Sequence, residues 1–230
     1  MRNPKSNLKS SFKETRPVGS NTGKTIDLKT LASAGTSPTA AAATPAAVGN
    51  TPIDNPNLAY LLLTKKIDIS GLTIGDSYSS ISDSILTVTF SVPLEKQGPV
   101  PTGWATWSSP PFSEDPNPDV LVSPTNTLEM VLSRPVRIFG FELEPEPFGE
   151  FTYTANFFRG NLLVESITRT VNGSAGARLF ARTGEPIDRV LITGGPTFAI
   201  AQVRYALPLS LLLIGLIVLA IILLLLWLLL

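Results

Sequence analysis

An all-β fold, an antiparallel sandwich or barrel set between two unlike terminal segments, is predicted by three observations. Between residues 58 and 206, apolar and polar residues alternate in short runs separated by Gly, Pro, Asn and Asp, which marks half-buried strands. No part of that stretch keeps a 3.6-residue period for three turns, and eight to nine strands at such spacing point to a sandwich or barrel. Residues 1–57 and 207–230 follow neither pattern.

The first segment holds the basic charge. Residues 1–30 carry seven Lys and Arg against two acids, whereas 58–206 carry eleven against fifteen and the whole chain is neutral. The segment is poor in aromatics and ends in LASAGTSPTAAAATPAAVGNTPIDNPN. It buries too little apolar area to offset its ordering entropy, so 1–57 is expected to be a disordered arm. Pro38 and Pro45 bracket the alanines at 40–43 and leave too few residues for an isolated helix. GSNTGKT (19–25) imitates a phosphate-binding loop but has one residue too few between its glycines. It also has no strand before it and no helical pattern after it. No apolar run of about 7–15 residues follows the first basic residues, so no secretory signal is expected and the chain is expected to start in the cytosol.

From Leu58 the strands follow in order. LAYLLLTKKI (58–67) is open between a first strand and a short helix. In ILTVTFSV, Leu86, Val88, Phe90 and Val92 share one face and Thr87, Thr89 and Ser91 the other. Leu128, Met130 and Leu132 repeat that spacing, as do Phe139, Phe141 and Leu143 after Pro135, and Phe151, Tyr153, Ala155 and Phe157. The remaining runs are 162–171, 177–182, 189–193 and 198–205. These 149 residues from 58 to 206 suffice for a core without metals or disulfides.

The chain has no cysteine and no histidine, which excludes disulfides, thiolate chemistry, imidazole ligands and His-dependent triads. Any catalysis would fall to carboxylates, hydroxyls or lysine. KIDISGLTIGDSYSS with ILTVTFSV, SRPVRIFGFELEP, FTYTANFFRGNLLVESI and PIDRVLITGGPTFAIAQVRYAL together resemble the jelly-roll domains of bacterial surface proteins. These include extracellular proteins with PEP-CTERM sorting tails and uncharacterised surface proteins of spore-forming bacteria. The resemblance covers residues 66–206 and implies a jelly-roll sandwich at a cell envelope or spore surface. The chain departs from those relatives at Ala201-Gln202, where they often carry Asp-Asn. It departs again at EPEP (144–147), which lies far upstream of the terminal apolar run.

Two groups of residues are candidates for function. The string Glu142, Glu144, Glu146 and Glu150 has oxygen ligands to offer calcium, but alternation puts Glu142 and Glu144 on the face opposite Phe141 and Leu143. A solvated edge is therefore expected there, with no metal site and no cofactor. The loop PTGWATWSSPPFSEDPNPD (101–119) sets Trp104, Trp107 and Phe112 among prolines and acids. Two readings stand: the indoles cap the open end of the sandwich, or they stack on sugar rings. The ligand-binding candidates are Trp104, Trp107, Phe112, Glu114 and Asp115. Glu114, Asp115 and Asp119 are the carboxylates that could face each other across a catalytic cleft. With no His and no nucleophile-elbow Ser, no catalytic residue is assigned and a non-enzyme is expected.

The last segment, PLSLLLIGLIVLAIILLLLWLLL (208–230), has 18 Leu, Ile or Val in 23 residues and no charge. As a helix it measures about 34 Å, slightly more than a hydrocarbon core of about 30 Å. Its aliphatic side chains favour insertion by roughly 5–11 kcal/mol. A transmembrane helix over 207–230 is expected, with Arg204, Tyr205 and Trp227 at the interfaces. Arg189 and Arg204 on the near flank would keep the sandwich on the cytosolic side, as a tail anchor. The same residues could instead form a lipid-anchor transfer signal after Thr193-Gly194-Gly195, or pack Leu-rich helices from several protomers. The sequence therefore predicts a non-enzymatic, membrane-anchored envelope or spore-surface attachment protein. A carbohydrate-binding module using Trp104 and Trp107 is the alternative. The expected partners are a lipid bilayer, other envelope proteins or glycans, and further copies of the chain; no nucleic-acid partner is expected.

Overall fold

The computed structural model describes residues 51–208, together with Leu219 and Ile221. In chain order it contains β1 (Thr51–Ile53), α1 (Leu58–Leu63), β2 (Lys65–Lys66), β3 (Ser77–Ser82), β4 (Thr87–Gln97) and β5 (Val120–Ser123). Then follow β6 (Leu128–Pro145), β7 (Glu150–Arg159), β8 (Leu162–Asn172), β9 (Arg178–Gly194) and β10 (Phe198–Ala206). Every strand pairing is antiparallel.

Two long strands create the sandwich. β6 and β9 pair from Leu128↔Ile192 to Leu143↔Arg178, with the register shifting between Val131 and Ile138. Pro135 lies in that interval, and a proline has no N–H for a ladder, so the strand bends there instead of continuing flat. On the other edge of β6, the first half meets β4 at Val88↔Leu132 and the second half meets β10 at Leu143↔Ile200. The two halves thus belong to different layers, and the path β2-β10-β5-β4-β6-β9-β7-β8 folds back on itself.

Between the layers, Val88, Phe90, Met130 and Leu132 pack with Phe139, Phe141, Phe180, Phe198 and Ile200 in one cluster. Phe141 stacks on Phe180 at 5.8 Å, and Tyr153 of the first layer meets Phe198 of the second edge-on at 5.5 Å. These are the inward positions expected from the alternation. Runs 128–132 and 139–143 join as one bent strand, as do 177–182 and 189–193.

The second layer, formed by β10 with the end of β6 and the start of β9, is covered on its outer face as well. Over one end lies α1, whose Tyr60 packs on Ile138, Leu179 and Ala181. Asn57 caps this helix, its side chain accepting from the Tyr60 amide at 3.0 Å. Gly140 makes the approach feasible, since a Cβ there would collide with Ala181 and lie 2.5 Å from Tyr60 Oη. Over the other end lies the 98–119 loop, whose Trp104 and Trp107 pack with Val100, Val120, Ala177, Ala199 and Ala201.

Several expectations change. LAYLLLTKKI resolves into α1 followed by the short β2. The boundary drawn at residue 57 moves back, because Thr51–Ile53 pairs with Ala181–Thr183 of β9 as an edge strand. Glu142 and Glu144 are not a solvated edge; both are fully buried, because the outer face they occupy is roofed by the loop. Arg204 and Tyr205, expected at a membrane interface, are strand residues with partners inside the fold. β10 runs through both to Ala206, Tyr205 is buried with its hydroxyl 2.8 Å from Asp83 Oδ2, and Arg204 is ion-paired to Glu114. Among the described residues no helix is long and apolar enough to cross a membrane. Apart from Leu207, Pro208, Leu219 and Ile221, the expected span over 207–230 lies outside the described residues, Trp227 included, as do residues 1–50 of the expected arm.

Candidate functional site

Glu142 and Glu144 stand two residues apart on β6, so their side chains leave the same face about 7 Å apart. Each receives one indole. Trp107 Nε1 donates to Glu142 Oε2 at 2.8 Å, and Trp104 Nε1 donates to Glu144 Oε2 at 2.8 Å. Glu142 Oε1 accepts the Glu114 amide at 2.6 Å, and Glu144 Oε1 accepts the Gly176 amide at 3.1 Å. The loop is thus fastened to the sheet by buried carboxylates that each take two N–H donors.

Desolvation pushes Glu142 up to about 7, against the bonds from Trp107 and the Glu114 amide and aided by the negative charge of Glu114. Desolvation also raises Glu144, outweighing its bonds from Trp104, Gly176 and Thr106. Ion pairs fix the far end of the loop. Glu114 takes Arg204 through Nε at 2.6 Å and Nη2 at 2.8 Å, and Lys66 at 3.1 Å. Burial opposes its ionisation, yet Arg204 and Lys66 hold Glu114 below the usual carboxylate range. Asp119 binds the buried Lys96 Nζ at 2.6 Å.

The structure therefore separates the five ligand-binding candidates. Trp104 and Trp107 are buried roof beams; neither presents an open face. Phe112 is exposed, with the Arg178 guanidinium 4.4 Å above its ring. Glu114 is an anchoring acid, and Asp115 caps its own loop by accepting from the Asn117 amide at 2.9 Å. Glu114 is committed to Arg204 and Lys66 and Asp119 to Lys96, while Asp68, Asp115 and Asp119 line one recess. Among the described residues no group of three or more acidic side chains is placed to hold a metal ion.

Two recesses flank the roof. The first, about 220 Å³, is walled by Trp104 and lined by Gln97, Thr106, Glu146 and Phe148. Phe148, in the β6–β7 turn, is 69 % exposed. Glu146 there accepts the Thr197 hydroxyl, and Gln97 Nε2 donates to Glu95 at 2.8 Å. The second, about 160 Å³, is lined by Asp68, Asp115, Asn117 and Gln202 among others. Gln202 sits in a β-bulge of β10 at φ 52°, a left-handed value that costs a residue with a side chain about 1–2 kcal/mol. Sequence reasoning passed over Phe148, which no alternation pattern flags; Gln202 stood out only as part of the Ala201-Gln202 departure, and its bulge is hidden within an unbroken strand pattern.

The class defined by this geometry is an antiparallel β-sandwich with one roofed outer face and recesses beside the roof. No protein-family model and no curated protein matches the sequence. Solved structures that align with it include the enzymatically active domain of tailspike protein 4 from Bacteriophage CBA120, at 18% identity and a TM-score of 0.28. That alignment covers 54% of this chain and 20% of the tailspike domain. A family 29 carbohydrate-binding module from Piromyces equi aligns at 16% identity and a TM-score of 0.26, over 51% of this chain and 89% of the module. A family 11 carbohydrate-binding module from Clostridium thermocellum, in complex with a β-1,3-1,4-mixed-linked tetrasaccharide, aligns at 11% identity and a TM-score of 0.27. It covers 64% of this chain and 97% of the module. At these TM-scores none of the three assigns a ligand or a family to this chain.

Proposed function

We propose that this chain is a non-catalytic recognition protein that takes a glycan in the Trp104–Phe148 recess and is held at a membrane by the apolar run 208–230. Phe148 carries the reading: an exposed ring at the rim of a recess that also offers a carboxylate, an amide and a hydroxyl. A sugar presents an apolar C–H face and a belt of hydroxyls. An open aromatic ring suits the first, and Glu146, Gln97 and Thr106 suit the second. The roles of the tryptophans differ from the open-platform reading, because Trp104 shapes the wall and Trp107 secures the roof. Glu114 and Asp119 spend their carboxylates on Arg204, Lys66 and Lys96, which supports binding over hydrolysis. The anchor is supported by the uniform aliphatic composition of 208–230, and the envelope or spore-surface setting by the resemblance of residues 66–206.

The test is glycan-array binding by the full chain in lipid nanodiscs, with Phe148→Ala and Glu146→Gln as variants. Both residues lie at the rim, so the fold should persist. Each substitution should weaken binding about tenfold, equivalent to about 1.4 kcal/mol. Absence of glycan binding with normal envelope assembly would leave attachment without a sugar ligand as the function.

A further inference from the structure

We propose that α1 and the end of β10 form a second contact with lipid, in which Leu58, Leu62, Leu63, Ile85 and Leu207 enter the boundary between headgroups and acyl chains. This rests on reading 208–230 as an anchor. Three of these side chains are among the most exposed large apolar residues described: Leu58 at 71 %, Leu62 at 76 % and Leu63 at 66 %. Leu62, Leu63, Ile85 and Leu207 line one shallow recess with Lys65 and Tyr205. Helix α1 points Tyr60 into the protein and, at i and i+4, Leu58 and Leu62 away from it. A helix exposing that much leucine needs a partner, since an apolar patch of this kind marks an interaction surface.

Position decides which partner. Leu207 lies in the patch and immediately precedes the apolar run. A bilayer holding the run would begin within a few residues of Leu207, alongside α1. Folding of the run back over the patch is the competing arrangement, but the sizes disagree: six helical residues span about 9 Å, whereas 23 span about 34 Å. Most of the run would stay in water. One bilayer covers both surfaces. The one charged side chain lining the recess, Lys65, is paired with Asp83 at 3.0 Å, so the contact is chiefly apolar and does not require anionic lipid.

The chain has no cysteine, so single-cysteine labelling needs no background removal. Leu62→Cys and, for comparison, Phe148→Cys would each carry an environment-sensitive fluorophore in the full chain, reconstituted into phosphatidylcholine vesicles containing nitroxide lipids. Phe148 is the distant reference: β10 pairs with Pro145 at Phe198 and with Ile138 at Ala206, ends about 26 Å apart. The expected result is flotation with the vesicles, quenching at Leu62 but not at Phe148, and no change on adding phosphatidylglycerol. Adding Leu58→Asp should release the Leu62 label while flotation persists. A chain that floats with its Leu62 label unquenched overturns the contact alone. Blue-shifted emission would then identify a protein cover, the run or a second copy, and red-shifted emission an open surface. A chain that does not float refutes the anchor, and this contact with it.

Discussion

Trp107→Phe tests the bond that secures the roof. The substitution keeps an aromatic ring but removes the Nε1–H that lies 2.8 Å from Glu142 Oε2. Glu142 is fully buried and would retain the Glu114 amide at 2.6 Å. A hydrogen bond to a charged acceptor contributes about 1.5–3 kcal/mol, and one to a neutral acceptor about 0.5–1.5 kcal/mol. Replacing indole by the smaller phenyl in a packed site adds about 1–2 kcal/mol in either state. Glu142 titrates near 7 in the folded protein. At about pH 8.5, where it is ionised, the loss should therefore be about 4 kcal/mol, falling to about 2.5 kcal/mol at about pH 5.5. Urea denaturation of the full chain in mild detergent, followed by far-ultraviolet circular dichroism, measures both values. A loss below about 1 kcal/mol, or the same loss at both pH values, refutes the Trp107–Glu142 bond as the fastening.

Three further outcomes are expected. Glu142 is raised from 4.5 to about 7 on folding, so its contribution to stability is fully present below 4.5 and is lost as the pH rises through 7. Compared with Glu142→Gln, the unaltered chain should lose about 3 kcal/mol more of its unfolding free energy over that window, and parallel profiles would show that Glu142 is solvated. Asp119→Ala leaves Lys96, 1 % exposed, without its 2.6 Å partner and should cost about 3–5 kcal/mol. Lys96→Met in the same chain should recover most of that loss by calorimetry. Gln202→Gly removes the strain of a left-handed φ and should raise stability by about 0.5–1 kcal/mol after the entropy of the added glycine is counted. Glycan affinity should not move, because the Gln202 recess shares no lining residue with the Phe148 recess; a loss of affinity would transfer the site to Gln202.

The inner faces of the strands were legible because one physical constraint, burial on alternate residues, acts on every position. Val88 and Phe90, Phe139 and Phe141, and Tyr153 and Phe157 all lie where the two-residue period puts them. Alternation says which side a residue faces, however, and nothing about what covers that side. Glu142 and Glu144 were assigned to the correct face and the wrong environment for that reason. A signal was present in the small residues Gly140, Ala177, Ala199 and Ala201, which share the outer face and leave space for rings. Paired with two tryptophans in a proline-rich loop, they describe a seat and its occupants. β5 escaped notice because four residues, VLVS, are too few to show a period beside an acidic loop. Arg204 and Tyr205 lie in β10 as the FAIAQVRY pattern has them, but that pattern says nothing of their partners Glu114 and Asp83, which lie far away in sequence.

The fastening of two indoles to two carboxylates has an optical consequence. Of the three tryptophans, two lie in the roof and are held against the sheet, so native emission reports chiefly on that one piece of structure. Trp227→Phe would leave Trp104 and Trp107 as the sole emitters, giving an intrinsic gauge of roof opening that needs no added dye and works in intact membranes. Ligand capture beside Trp104, acidification through the Glu142 titration and loosening of the Glu114–Arg204 clamp would each register on that gauge as a distinct change in colour or intensity.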